Sequence, residues 1–209
     1  MKISLDCEFT KLSSNGDLIS IGMIDENGVK FYAELLDFRY LDIIDNSWMM
    51  KNVIEKLKYI NISMVKTYWE EVFENDELLK TEYLFPSDNG LEMFGNRFTV
   101  KNHMEKWLSQ YDNVEIIADC GHYDFMYFID LLCGNALNLP HNICPAYIEL
   151  NNIIADKFNI NQQEAFNMDR INIIAKSYME TYSNNQHNSL SDAINQMKVY
   201  KILTNRLYF

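Results

Sequence analysis

The chain has 209 residues, 48% of them hydrophobic, and its formal net charge is −12 at pH 7. This length and composition are typical of one well-cored domain and exclude a disordered chain. No apolar run approaches the roughly 20 residues that a bilayer-spanning helix needs, and the acidic Asp6 comes too early for a signal peptide. We therefore expect a cytoplasmic protein with no membrane partner.

The acidic balance bears on the choice of partner. Proteins that bind long nucleic acids are normally basic, because neutralising the phosphates supplies most of their affinity. An acidic chain can still act on nucleic acid if bound divalent cations meet the phosphates, and it then suits short ends better than long tracts. Taken by itself, the charge favours a protein that does not bind nucleic acid.

The start of the chain predicts an antiparallel meander of three strands. Residues 2–10 alternate between apolar and polar side chains, which is the period of a strand with one buried face. A turn at 13–16 precedes a second strand at 18–24. A hairpin turn at 25–28 then leads into a third strand at 30–35.

The remaining chain is dominated by helical patterns. A helix is expected from Asp45, with Asp45 or Ser47 as its cap, and residues 59–100 are interpreted as an insertion with some helix. Further elements are predicted as helices at 101–108, 122–132, 149–158, 164–178 and 190–203, a short buried strand at 114–118 and a loop at 135–145. This order predicts one α/β domain, residues 1–209, in which a mixed sheet packs against helices.

Three acidic residues stand where two elements could bring them together. Asp6 and Glu8 are two residues apart on the first strand, so their side chains share a face at a separation of about 6–7 Å. That spacing suits carboxylates that share metal ions, although the solvated face of a half-buried strand has the same alternation. Asp124 follows the strand at 114–118 in the first turn of a helix, where the helix dipole favours any acid. A strand end followed by a helix start also brings a carboxylate to the edge of a sheet.

A histidine and a fourth acid mark the start of the last helix. Asp192 is expected in its first turn, where Ser189-x-x-Asp192 also resembles a capping box. His187 precedes that helix, and its alternative is an ordinary loop histidine. Within a helix, a five-residue separation would turn the two side chains about 140° apart. A histidine that lies in the loop instead suits a mobile base beside a metal ligand.

Taken together, these residues resemble the DEDDh exonuclease superfamily. Its three motifs are matched in order by Asp6-Cys-Glu8-Phe9-Thr10, Ala118-Asp-Cys-Gly-His-Tyr-Asp124-Phe and His187-x-x-x-x-Asp192-Ala. Within the superfamily the chain resembles the small bacterial and phage 3′–5′ exoribonucleases typified by a mycobacterial enzyme, through Leu18-Ile-Ser-Ile-Gly22, Trp48-x-x-x-Asn52-Val53 and His187-Asn188-Ser-Leu-Ser-Asp192-Ala. The likeness covers about 1–57, 114–134 and 186–204.

The resemblance implies a ribonuclease H-like fold, in which three antiparallel strands are followed by parallel strands and flanked by helices. It further implies that Asp6, Glu8, Asp124 and Asp192 hold two Mg²⁺ ions, with Mn²⁺ as a substitute, since hard cations prefer oxygen ligands. His187 is the implied general base, because imidazole titrates near neutrality, and Glu8 is counted with it as catalytic. Close relatives often dimerise, so a homodimer is an option as well.

Substrate binding is assigned to Phe9, Thr10 and Trp48. A terminal base needs a stacking surface, for which Phe9 is the first candidate and Trp48 the second; the alternative for both is a core aromatic. Relatives in the wider superfamily often carry asparagine where Cys120 stands. That difference leaves the metal ligands intact but weakens any transfer of substrate specificity.

The expected function is removal of nucleoside 5′-monophosphates from the 3′ ends of single-stranded or short RNA, with RNA favoured over DNA. A 3′–5′ exodeoxyribonuclease would use the same residues. An acidic, non-catalytic interaction protein that mimics nucleic acid would explain the charge, but it would gain nothing from a general base.

Overall fold

The computed structural model describes residues 1–13, 15–75, 82–87, 89–177 and 186–205. Seven strands form one mixed sheet, and they are β1 (Lys2–Phe9), β2 (Leu18–Asp25), β3 (Lys30–Leu35), β4 (Glu82–Ser87), β5 (Gly90–Gly95), β6 (Glu115–Ala118) and β7 (Ile148–Glu149). Their order across the sheet is β4-β5-β3-β2-β1-β6-β7. The strands β1, β2 and β3 form the predicted antiparallel meander, whereas β1–β6, β6–β7 and β3–β5 pair in parallel.

The helices flank this sheet, so the predicted α/β fold with a mixed sheet is confirmed. They are α1 (Ser47–Asn52), α2 (Ile62–Asn75), α3 (Arg97–Leu108), α4 (Gly121–Leu132), α5 (Leu150–Phe158), α6 (Gln162–Asn167), α7 (Arg170–Ser177) and α8 (Ser189–Leu203). None of the described helices has the length and apolar character that a bilayer-spanning segment needs.

Helices cover both faces of the central strands, which is why every residue of β2 is buried. On one face, Ile3 and Leu5 of β1 share a core cluster with residues of α3 and α4. On the other face α8 lies against β1 and β2, where the Ser4 hydroxyl donates to Gln196 Oε1 at 3.4 Å. The polar residues of β1 therefore face a helix, and their alternation does not come from a solvated surface.

The segment at 59–100 contains the expected helix, α2, together with a hairpin, β4–β5, that the sequence pattern missed. Because β5 pairs in parallel with β3, this hairpin extends the same sheet. Pro86 lies within β4 and argues against a strand, but β4 is the edge strand, where a missing N–H is tolerated. That residues 1–209 form a single domain with an insertion at about 59–100 stays a prediction.

The helix predicted at 164–178 is two helices, α6 and α7. Met168 has an extended backbone, with ψ of 127°, and this interrupts the helix, while residue 178 lies outside the described residues. Asn161 and Glu164 form a capping box at the start of α6. In addition, Asn46 caps α1 in place of the two predicted residues, and the short strand β7 is an element that was not predicted.

Candidate active site

Asp6 and Glu8 lie on the face of β1 that α8 covers. One carboxylate oxygen each from Asp6, Glu8 and Asp192 lies within 4.8 Å of the other two. Gln196 of α8 holds the first of these carboxylates, because its Nε2 donates to Asp6 Oδ1 at 2.9 Å. Three oxygen donors at this spacing suit a hard divalent cation such as Mg²⁺ or Mn²⁺.

Asp192 reaches this cluster because the first turn of α8, which carries it, lies directly on β2. Gly22 permits the approach: a Cβ at this position would stand 2.3 Å from the backbone nitrogen of Leu190. Gly22 is also the partner of Asp6 in the pairing of β1 with β2. Nearby, the hydroxyl oxygens of Ser20 and Ser189 are 3.0 Å apart. The close contact thus brings the first turn of α8 beside the strand that carries Asp6.

Asp124 reaches β1 from α4. Cys120 has a left-handed backbone, with φ of 61°, and turns the chain from the end of β6 into α4. Asp124 follows in the first turn of α4, where it is 6% exposed and its Oδ1 accepts the backbone N–H of Cys7 at 3.1 Å. Since Cys7 stands between Asp6 and Glu8 in the chain, Asp124 adds a further oxygen donor beside the three-carboxylate cluster.

His187 lies outside α8, and its backbone is left-handed, with φ of 63°. Its N–H donates to Asp192 Oδ2 at 2.8 Å, so the histidine and the acid are joined directly. Asn188 caps α8 by accepting the backbone N–H of Ser191. The cap therefore differs from the alternative capping box that the sequence suggested. Burial lowers the pKa of His187, and the charge of Lys56 lowers it further.

Burial raises the pKa of all four carboxylates, and the charges of nearby acids, Asp119 among them, raise it further. Burial is the largest cause in each case, and it brings the pKa of Glu8 and of Asp124 to about 8 and that of Asp192 to about 6. Burial followed by the charges of Asp124 and Asp192 raises the pKa of Asp6 well above its usual range. Uptake of a cation would relieve both the repulsion and the loss of hydration.

The candidate substrate-binding residues occupy different surroundings. Phe9 lines the cleft beside the carboxylates, and its ring stacks on a tyrosine of α4 with centroids 4.7 Å apart. Trp48 is 53% exposed, and its ring lies edge-on to His187 at a centroid distance of 5.1 Å. Thr10 is only 5% exposed, and its hydroxyl accepts the backbone N–H of Asp17 in the turn after β1. Phe9 and Trp48 thus adjoin the motif residues, whereas the Thr10 hydroxyl supports a turn.

A cleft of about 590 Å³ lies over the four carboxylates and His187. Its lining also includes residues that the sequence analysis did not identify, namely Asp119, Phe166, Met168, Arg170, Ile171 and Gln196. Two of these had a usable signal: Asp119 lies inside the second motif, and Gln196 follows Asp192 by one helical turn, which places both on one helix face. The others belong to a part of the chain without any recognisable motif.

No family model matches the sequence, and no curated protein matches it either. Solved structures match by fold. One shows 3′-end specific recognition of histone mRNA stem-loop by 3′-exonuclease; it is 11% identical with a TM-score of 0.52, over 97% of this chain and 63% of that chain. Another, a full-length 3′-exonuclease, is 11% identical with a TM-score of 0.53, over 98% of this chain and 81% of that chain. At this identity the likeness shows the fold alone.

Gly22→Ala should weaken Mg²⁺ binding as well as stability. The added Cβ would displace the first turn of α8, and overpacking of this kind costs about 1–3 kcal/mol. Urea unfolding measures the stability, and calorimetric titration measures the Mg²⁺ affinity. Gly28→Ala is the control: it has a left-handed φ of 89° but open space around its Cβ, so it should lower stability and leave Mg²⁺ affinity unchanged. Wild-type Mg²⁺ affinity in Gly22→Ala would refute this role of the contact.

Asp6→Asn should stabilise the metal-free protein near pH 8. The pKa of Asp6 is higher in the folded than in the unfolded chain, so the folded protein binds more protons and its stability falls as pH rises above the ordinary aspartate value of about 4. The amide removes the charge and keeps an oxygen for Gln196. Thermal unfolding in chelator should show the gain near pH 8 and little gain near pH 4. If the cluster takes up Mg²⁺, saturating Mg²⁺ should reverse the gain, because the variant has one carboxylate fewer to bind it. A metal-free variant that is less stable than wild type near pH 8 would contradict the repulsion.

Proposed function

We propose that this chain is a Mg²⁺-dependent 3′–5′ exoribonuclease of the DEDDh type, which releases nucleoside 5′-monophosphates from the 3′ ends of single-stranded or short RNA. The observation that carries the proposal is the set of three carboxylate oxygens within 4.8 Å of one another, in a cleft that Asp124 and His187 also line. The fold that the chain shares with 3′-exonucleases supports it.

The four carboxylates, Asp6, Glu8, Asp124 and Asp192, would hold two Mg²⁺ ions, for which Mn²⁺ would substitute. Two such ions stabilise the charge on the attacking and leaving oxygens of a phosphodiester. The donor set fits them, because all four ligands offer carboxylate oxygens and burial has raised the pKa of each. The side chains contribute by fixing these oxygens at the floor of the cleft, where Gln196 orients Asp6.

His187 is the proposed general base. Since burial lowers its pKa, its imidazole is neutral at pH 7 and a ring nitrogen can accept the proton of the attacking water. The bond from its backbone N–H to Asp192 keeps the residue beside a metal ligand. Its position in the loop before α8 lets the side chain close over a bound substrate.

The choice of RNA over DNA rests on the resemblance to the small bacterial and phage exoribonucleases and on the neighbour whose structure shows recognition of a histone mRNA stem-loop. A homodimer and a cytoplasmic location also belong to this proposal. The first rests on the family resemblance alone, and sedimentation equilibrium would test it. The second rests on the sequence pattern.

Two other functions remain as competitors. A 3′–5′ exodeoxyribonuclease would use the same four acids and the same histidine. A non-catalytic acidic protein would explain the charge of −12, but it has no need to bury four acids in one cleft, where their pKa rises and the fold is weakened. The buried cluster therefore favours an enzyme.

The first test of the proposed function uses single-stranded RNA and DNA of one sequence, labelled at either end. With Mg²⁺, 3′-labelled RNA should release a labelled mononucleotide at once, whereas 5′-labelled RNA should shorten stepwise. Chelator should stop both reactions, and Asp192→Asn controls for contaminating nuclease. Faster cleavage of DNA would indicate the exodeoxyribonuclease. Activity that survives chelation would exclude the two-metal assignment, and no cleavage of either polymer would favour the interaction protein.

His187→Ala should lower the turnover number by roughly two to four orders of magnitude, the usual contribution of a general base. Mg²⁺ affinity should be retained, because the four carboxylates remain. At saturating Mg²⁺ the wild-type rate should climb as pH rises through the titration of His187, because only neutral imidazole accepts a proton. The midpoint should lie below the ordinary histidine value of about 6.5, because its pKa is lowered. In the variant this rise of the rate with pH, the acidic limb of the pH–rate profile, should be missing. A variant that keeps both the rate and the limb would rule out His187 as the base.

A further inference from the structure

One wall of the cleft is built by α6, α7 and the turn that joins them. Phe166, Met168, Arg170 and Ile171 line the cleft from this wall. No motif predicts these residues, and neither the metal ligands nor the general base lies among them. The wall therefore needs an explanation of its own.

Arg170 fastens this wall to the rest of the molecule. Its Nε and Nη2 donate to the two carboxylate oxygens of Asp119 at 2.7 and 2.8 Å, and Nη2 donates to Asn151 Oδ1 at 2.6 Å. Its Nη1 donates to the backbone oxygens of Ala165, at 2.7 Å, and of Met168. A guanidinium has five N–H groups, and these bonds use all five. Arg170 consequently has none left for a phosphate, and its role is to hold the wall.

The two carbonyls that Arg170 binds lie on either side of Phe166 in the chain. Ala165 is fully buried in the core, so the backbone at this point is held by core packing as well as by the hydrogen bonds from Arg170. Phe166 itself is 56% exposed. The backbone around Phe166 is therefore fixed, while its large apolar side chain is left exposed.

Exposed apolar side chains are common and need no explanation when they are scattered. Among the large apolar side chains that are exposed in the described part of the chain, Phe166 is the one that lines this cleft. Phe9 lines the same cleft beside the carboxylates. The cleft volume of about 590 Å³ lies in the range of roughly 300–1,000 Å³ that is usual for small-ligand sites.

We propose that Phe166 stacks on the base of the 3′-terminal nucleotide, and that Arg170 is a positioning residue that holds Phe166 in place. The subsite rests on the proposed function, because the base reaches the wall only if the scissile phosphate lies at the carboxylate cluster. Stacking on an aromatic ring accepts every base, since each base has a π face. The subsite therefore supplies affinity for an RNA end without basic side chains.

The test compares RNA that has a normal 3′-terminal nucleotide with RNA whose terminal nucleotide lacks its base. For normal RNA, Phe166→Ala should raise KM roughly tenfold, within the range that base stacking contributes, and leave kcat unchanged. For the RNA without the terminal base, wild type and Phe166→Ala should have the same KM. Phe166→Trp should retain the wild-type KM. Phe98→Ala is the matched control, because Phe98 is 58% exposed and lies on α3, away from the lining of the cleft.

The outcomes separate the subsite from the proposed function. If wild type degrades RNA and Phe166→Ala behaves like Phe98→Ala, the subsite is wrong and the exonuclease stands. If Phe166→Ala raises KM equally for both RNAs, Phe166 does not act on the base, and the subsite is again wrong. A wild-type chain without nuclease activity would overturn both proposals.

The role of Arg170 is tested by coupling. Lysine cannot replace a guanidinium that binds five acceptors, so Arg170→Lys should loosen the wall and raise KM for normal RNA. In the Arg170→Lys background, Phe166→Ala should then raise KM less than threefold. Circular dichroism establishes that each variant is folded at the assay temperature. An undiminished tenfold effect in that background would show that Arg170 does not position Phe166.

Discussion

The contact between the first turn of α8 and β2 at Gly22 is the constraint on which the site depends. A side chain at Gly22 would collide with the backbone of α8, so only glycine allows the helix to lie this close to the sheet. The same contact places two residues of α8, Asp192 and Gln196, next to β1. They are four residues apart and therefore share a face of the helix. This close contact between α8 and β2 thus completes the carboxylate cluster and orients Asp6. It also places the loop with His187 at the edge of the cleft.

A second buried carboxylate shows what a structural acid looks like in this fold. Glu34 is fully buried and accepts three backbone N–H groups from the segment at 58–60 as well as the hydroxyl of Tyr32. Those donors offset part of the lost hydration, although burial still raises the pKa of Glu34, and they fasten the segment at 58–60 to β3. The carboxylates of the cleft have a different environment: they face one another, and neutral donors such as the Gln196 amide hold them in place. Acids gathered in this way weaken a metal-free fold, which is the physical reason for assigning them to cations.

Patterns that span one element were readable from the sequence. The alternation of β1 and the apolar stripes of α4 and α8 each follow from one buried face, so these elements were predicted within a few residues. The hairpin β4–β5 was missed, because Pro86 and the neighbouring polar residues are unusual for a strand and are tolerated only at the edge of a sheet. The break between α6 and α7 was missed for a similar reason. The sequence of 164–178 predicts one helix, and the hydrogen bonds from Arg170 to the backbone oxygens at 165 and 168 are visible only in the tertiary structure.

The candidate site was predictable in part, because local motifs can be recognised in the sequence whereas tertiary contacts cannot. The four acids and His187 could be named because short motifs carry them, yet their convergence depends on how closely α8 packs on β2. Thr10 belongs to the first motif, but its position in the motif does not reveal that its hydroxyl accepts a backbone N–H of the following turn. Cys120 illustrates the opposite case. It adopts a left-handed backbone, a conformation that asparagine tolerates better than most residues. The asparagine that the DEDDh superfamily, which the sequence resembles, often carries here is thus compatible with the turn that leads into α4, and the cysteine need not signal a different chemistry.

The acidity of the chain agrees with the proposed chemistry once the cleft is considered by itself. Among the described residues that line it, Arg170 is the one Lys or Arg side chain, and all five of its N–H groups are bound within the protein. Phosphates in this cleft would therefore meet cations held by the acids and not basic side chains. Bases would meet Phe9 and Phe166. Affinity of this kind is confined to the few nucleotides inside the cleft, because its described lining has no row of basic side chains that could bind a long phosphate backbone. The net charge of −12 then disfavours long tracts without weakening the binding of an end, which is the behaviour expected of an enzyme that acts on short or terminal RNA.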